Sequence, residues 1–286
     1  MSHTYLTFPA APNLPLAPDP WDRRYQDQYS NVLRLYFNLL SGALQELANT
    51  NGGYHLSFPH GSFFQDGVTT LSANITNVST TPISVVSTNS FPSSGYILIG
   101  DEIIQFTTKT ATAFDGTVTR GALGTSGKAH TAGDAVTEVQ GTGSPTTIGT
   151  VLFNNTSFSS GVRASPDFTR IEFDYPGIYN IQFSAQLLNF TTSEDNVTVW
   201  FSKNGADIPN SASVEQVNSK HGSSPGATIM TVNIFEEFKG GDYFTLKWAS
   251  DTGNTVIGTY PAGTSPVHPV SPAIILTVNF VSAPTA

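Results

Sequence analysis

Only one stretch of this chain repeats with a helical period, and everything after it alternates as strands do. Between Trp21 and Leu47 the apolar positions Tyr25, Tyr29, Val32, Tyr36, Leu39 and Ala43 step by four, three, four, three and four. Leu33, Leu40 and Leu47 form a second row, spaced by seven, on the neighbouring face. Together they make an a/d seam with a flanking stripe, lasting about three heptads. A lone helix of this length is marginal in water, so the stripe needs cover. That cover is either the chain's own β domain or identical helices from other copies. The second makes the chain an oligomeric rod with β domains at one end, and it is the favoured expectation.

The remaining composition suits strands. In 286 residues, 25 Gly and 18 Pro are spread over many short runs, and Asn, Ser and Thr are abundant. Charged residues make up 12%, against a usual share of about 25%. With 19 Phe and 10 Tyr to build a core, this is an all-β composition with a neutral, polar surface, enough for one to three domains. The net charge is −9, with 12 basic and 21 acidic residues and no Lys/Arg run. A nucleic-acid backbone would therefore find no electrostatic footprint. The absence of cysteine excludes disulfides and thiolate metal sites, leaving stability to packing or assembly. No charged n-region leads an apolar core, and no stretch approaches the ~20 apolar residues of a membrane helix. The expectation is a soluble, acidic, non-secreted protein without membrane insertion.

Residues 1–20 place Pro9, Pro12, Pro15, Pro18 and Pro20 among Tyr5, Leu6, Phe8, Leu14 and Leu16. Closely spaced prolines hold an extended, polyproline-like path. Apolar residues between them would be wasted on a free linker, so an arm that docks on another subunit or partner is expected. Asp19 is read as a helix cap with Pro20 in the first turn, and 49–53, Asn-Thr-Asn-Gly-Gly, as the helix end.

Residues 54–74 read as one or two strands, and 75–140 as a compact β module. Within it, Pro82–Val86 is a strand. Tyr96–Ile99 and Ile103–Phe106 flank Gly100-Asp101-Glu102 as a hairpin, and Ala135–Val139 closes the module. Gly141–Pro145 is a linker by composition. Beyond it Tyr179, Ile181, Phe183, Ala185 and Leu187 alternate with Asn180, Gln182, Ser184 and Gln186, a strand with one core face and one amide-rich face. Val197, Val199 and Phe201 alternate likewise. Ile229–Phe238, Tyr243–Trp248 and Ile274–Phe280 continue a series that predicts a sandwich.

Three local sequences in this region follow a known pattern: 177–185 (Gly-Ile-Tyr-Asn-Ile-Gln-Phe-Ser-Ala), 200–205 (Trp-Phe-Ser-Lys-Asn-Gly) and 238–244 (Phe-Lys-Gly-Gly-Asp-Tyr-Phe). Residues 146–281 resemble the jelly rolls of the complement and tumour-necrosis-factor superfamily, in the version common on tailed-phage fibre and head-surface proteins. On this resemblance His60-Gly61-Ser62-Phe63 is the jelly roll's first strand, left upstream by an insertion. The inserted stretch, from Phe91-Pro92 through Thr119-Arg120-Gly121 to His130-Thr131-Ala132-Gly133, resembles a small β module repeated among phage structural proteins. Residues 20–37 resemble the opening segments of virion proteins, many from phages of cyanobacteria. The resemblance implies a homotrimer with no catalytic residue to carry over, and the lack of a collagen-like stalk sets the chain apart from the animal signalling branch. The expected layout is a docking arm (1–20), an oligomerising helix (21–49), a linker with the first jelly-roll strand (50–74), the inserted module (75–140) and the jelly-roll sandwich (141–286). The expected location is the virion, with contacts to other virion proteins through the arm.

Catalytic chemistry finds little support in the residues. The six histidines have no metal-ligand spacing, so neither a metal nor another cofactor is expected. No phosphate loop or nucleophile-elbow sequence occurs. Glu236 and Glu237 are adjacent, so on a strand they face opposite ways and cannot share one proton transfer. A glycosidase would need facing carboxylates, which distant residues could still supply. The expectation is a non-enzymatic fibre that contacts the host surface, with capsid decoration as the alternative and a polysaccharide depolymerase as a third class. For a host glycan, Trp200 and Tyr260 are the candidate contacts, near the polar segments 202–210, 217–226 and 251–272. Trp248, embedded in a strand, is read as core.

Overall fold

The computed structural model describes residues 9–16, 20, 22–48, 58–80 and 82–283. Two compact units divide the chain, Met1–Phe58 and Pro59–Ala286.

In the first unit, helix α1 runs Arg23–Ala48. Asp22 caps it: its Oδ1 accepts the Arg24 N–H at 2.8 Å, and its carbonyl accepts from Tyr25 and Gln26. A cap must reach the donor two or three residues on, so among the described residues the role is Asp22's, and Pro20 precedes the helix instead of opening it. Asp19 and 49–53 lie outside the described residues, as do Tyr5, Leu6 and Phe8 of the arm. Leu14 and Leu16 are described in a segment without regular structure, and Leu16 is 94% exposed. No helix among the described residues is long and apolar enough to cross a membrane.

The second unit is built of short and long strands. First come β1 (His60–Gln65), β2 (Val68–Thr70), β3 (Ile83–Ser84), β4 (Gly95–Ile99), β5 (Glu102–Phe106), β6 (Thr108–Thr110), β7 (Ala113–Asp115) and β8 (Ala135–Gly141). The middle holds β9 (Gly149–Thr150), β10 (Asn155–Ser160), β11 (Val162–Ala164), β12 (Ile171–Phe173), β13 (Gly177–Asn189), β14 (Asp195–Lys203), β15 (Ala206–Asp207) and β16 (Ser213–Val217). Last are β17 (Gly226–Phe238), β18 (Tyr243–Ser250), β19 (Val256–Gly258), β20 (Gly263–Thr264), β21 (Val267–His268) and β22 (Ile274–Ser282). The chain is mainly β, and its curled antiparallel sheets fit a β-sandwich.

The pairing is nested. β1 pairs with β22, β12 with β18, β13 with β17 and β14 with β16, so outer strands meet outer and inner meet inner. One sheet reads β10-β1-β22-β13, with β17 on the free side of β13; the other reads β11-β12-β18-β14, with β16 beside β14. Between them Phe63, Tyr179, Ile181 and Phe183 meet Val197, Phe201, Phe244, Leu246 and Trp248, all essentially sealed from solvent. A one-residue slip in β13 would turn this whole set outward, so burial of the alternating face fixes the register. The strand at His60 pairs with β22, His60 lying opposite Asn279.

The module around 75–140 has its own core, in which Ile83, Ile97, Ile104, Phe106 and Phe114 are buried. Its strands nevertheless continue the larger sheet, because β8 pairs with β19 and β19 with β13. This corrects the reading of 251–272 as polar loop throughout. Val256 and Ile257 are fully buried and bridge module and sandwich, and a three-residue strand is too short to show a period. The expected hairpin is present but its turn is shorter, with Gly100 at φ 62° in the first of two central positions and Glu102 already paired with Ile99 in β5.

Candidate functional site

A buried carboxylate organises the module. Glu102 is fully buried on β5 and receives Arg120 at two points, Lys128 N–H at 2.9 Å, Gly121 N–H at 3.1 Å and His130 Nε2 at 2.7 Å. Burial would raise its pKa, but Arg120, the Lys128 amide and His130 outweigh it and hold the group below its ordinary value. Arg120 also donates to the carbonyls of Thr76, Ser79 and Lys128, tying two loops to one guanidinium. Because a carboxylate only accepts, the His130 proton sits on Nε2. Nδ1 is left on the side of Asp134, 3.9 Å from its Oδ2.

That histidine forms part of the wall of a pocket of about 400 Å³ where module and sandwich meet. Leu98, Leu188, Phe190 and Pro261 give it an apolar floor; His130, Asp134, Thr137 and Tyr260 supply polar atoms. Thr137, on β8 opposite Leu98, is 2% exposed, and its Oγ1 has no hydrogen-bond partner. Tyr260 bridges Ser271 through its backbone and is half-buried, and burial raises its hydroxyl pKa. Asp134 is steadied by Thr131, whose N–H reaches Oδ2 at 2.8 Å.

Trp200 lies elsewhere. It is half-buried on the outward side of β14, cross-strand from Lys247 on β18. Lys247 Nζ reaches Asp207 Oδ1 at 2.8 Å. Lys247 first, then the Trp200 indole, hold the Asp207 carboxylate below its usual range. The two candidate glycan contacts are therefore not one site: Tyr260 lines the junction pocket, whereas Trp200 belongs to an open patch with Lys247 and Asp207. Trp248 is core, 1% exposed.

A second cavity, of about 440 Å³, is lined by Ser90, Glu138, Asn154, Asn155, Asp167 and Phe168 among others. Burial pushes the Glu138 carboxyl up to about 8, although Asn154 donates to it at 2.8 Å. It is an acid kept neutral by its surroundings. Among the described residues no group of three or more His, Asp or Glu could hold a metal ion.

On α1, Tyr25, Tyr29, Val32 and Tyr36 are half-buried and Ala43 is buried, while Leu39 is 63% exposed. The less exposed row passes instead through Leu40 and Leu47, because a straight helix drifts from a strict seven-residue repeat. Leu35, Phe37 and Leu44 are also more than half exposed. Thr137, His130 and Asp134 carry no local signal of a site; only strand pairing brings them to Tyr260. Neither the family models nor the curated proteins contain a match to this chain.

Proposed function

We propose that this chain is a non-enzymatic structural protein of a tailed-phage virion, a homotrimeric fibre. Its arm and helix anchor it to the particle, and a jelly-roll domain faces the host surface. The observation that carries the proposal is the uncovered row of Leu35 and Leu39, one helical turn apart and both about 60% exposed. Apolar area gains about 25 cal/mol per Å² on burial, and contiguous exposed patches mark association. Three helices meeting on this row would bury it, whereas Phe37 and Leu44 lie on the opposite face.

Nested strand pairing supports the finer fold. Rolling one long antiparallel hairpin into two sheets gives a jelly roll, and first-with-last, second-with-second-last pairing is what such a roll requires. The outer face of β13 supports self-association. Asn180, Gln182, Ser184 and Gln186 lie opposite Phe235, Asn233, Thr231 and Ile229 of β17, a row without a formal charge. Such a surface can meet its copy without stranding ions away from water.

Light scattering on the purified protein tests the assembly. A mass near three times 30.5 kDa is expected, and removal of residues 1–49 should give monomers or loosened trimers. A monomeric full-length protein would overturn the proposal.

A further inference from the structure

We propose that Glu138 latches a pH-sensitive seam between the inserted module and the sandwich. Protonated, it keeps the seam shut; its ionisation parts the 88–91 turn from Asn154.

Glu138 is 1% exposed and lines the cavity of about 440 Å³ beside Ser90, Leu152 and Asn154. Three segments close on its side chain. Asn154 Nδ2 lies 2.8 Å from both the Ser90 carbonyl and Glu138 Oε2. One amide group thus stitches the module's turn and its strand β8 to the segment between β9 and β10. Gly67 closes the third side. A Cβ there would stand 2.5 Å from Glu138 Oε2 and 3.1 Å from the Ser90 oxygen, so only glycine permits this approach. The turn is itself braced. The Phe91 N–H reaches the Thr88 carbonyl at 3.0 Å, and the Lys109 ammonium donates to the carbonyls of both residues.

The surroundings hold the carboxyl neutral. Lys109 is committed to those two carbonyls, and among the described residues no ion pair joins it to Glu138. The other charged neighbours are Asp66, on the β1–β2 turn, and Asp167, which lines the same cavity. Both are acids and oppose a further negative charge. A buried charge without a partner is costly, so the group neutralises instead. An ionised Glu138 needs water, and the Ser90–Asn154 hydrogen bond is what must part to let it in. The carboxyl binds its proton more tightly with the seam shut than open. Opening therefore gains as pH rises from the ordinary carboxyl range to the folded value, by at most about tenfold per pH unit, and levels off above it.

Hydrogen exchange read by mass spectrometry on the full chain tests the latch. Glu138→Gln keeps an acceptor for Asn154 and cannot ionise, and as the reference at each pH it cancels the intrinsic exchange rate. Between pH 6 and pH 8.5 the wild-type rate relative to this variant should rise at least tenfold in peptides spanning 88–93 and 150–155. The rise should persist unchanged in dilute urea, the mark of a local opening that exposes little surface. Asn154→Leu removes the shared donor and should speed exchange in the same two peptides already at pH 6. A flat ratio across the pH range overturns the latch. So does a rise that steepens with urea, which reports unfolding of the whole β unit, and so does wild-type exchange in Asn154→Leu.

Discussion

Arg120 grips Glu102 through two parallel hydrogen bonds, Nε to Oε1 and Nη2 to Oε2, both 2.7 Å long. Both side chains are almost wholly buried. Removing one partner strands the other's charge, which typically costs about 3–5 kcal/mol. Arg120→Ala is therefore expected to lower the urea midpoint of the β unit sharply. Near-wild-type stability would show that the two loops are held by something else. The carboxylate's pKa is lowered on folding, so its stabilisation is complete above the unfolded value and fades as pH falls through the folded one.

Glu138 has the opposite sign. Its folded pKa is raised from 4.5 to about 8, so its contribution is complete below the unfolded value. It is lost as pH rises across that window, by up to ~1.4 kcal/mol per pH unit. Glu138→Gln keeps an acceptor for Asn154 and cannot ionise. Denaturation midpoints at pH 5 and pH 8 should show the variant gaining on the wild type with rising pH. A constant difference would mean that the carboxyl is already ionised in the fold.

Asp195 accepts from Ser250 at 2.6 Å, from Thr252 through both its N–H and its hydroxyl, and from Thr255. Burial opposes its charge, but these donors win and lower its pKa. Asp195→Ala should cost roughly 1.5–3 kcal/mol per charge-assisted bond left unmade, with less than full additivity. The loss should show as a lower thermal midpoint, and a change within error would mark the cluster as dispensable.

Leu35 and Leu39 lie one helical turn apart on α1, both about 60% exposed. Replacing both with Asp should split the assembly into monomers while the thermal midpoint of the β unit stays put. A trimer that persists would assign self-association to the sheet face of β13 and β17.

Legibility followed period and length. Tyr179 to Leu187 could be read as a half-buried strand because five inward residues alternate with polar ones over a long run. The Gly100 hairpin was legible because a glycine between two apolar runs leaves few other conformations. Val256-Ile257-Gly258 was not, since three residues carry no period and polar neighbours surround them. Asp22 took the cap because the helix starts after Trp21, and a helix boundary is only as sharp as its capping bond. The Glu102 grip and the Thr137 pocket draw on segments far apart in the chain, and no spacing in one dimension encodes them. Trp200 and Tyr260 were both placed near surface loops, yet strand pairing sends them to different sites.

β1 and β22 are immediate neighbours, with His60 opposite Asn279. During synthesis the opening strand of the β unit must therefore wait until nearly all of that unit has left the ribosome. Closure over such a separation is slow, and an unclosed sheet offers bare edges to other chains. Truncation before Ile274 should thus leave aggregate and not a shorter folded body, because productive folding waits for the synthesis of β22.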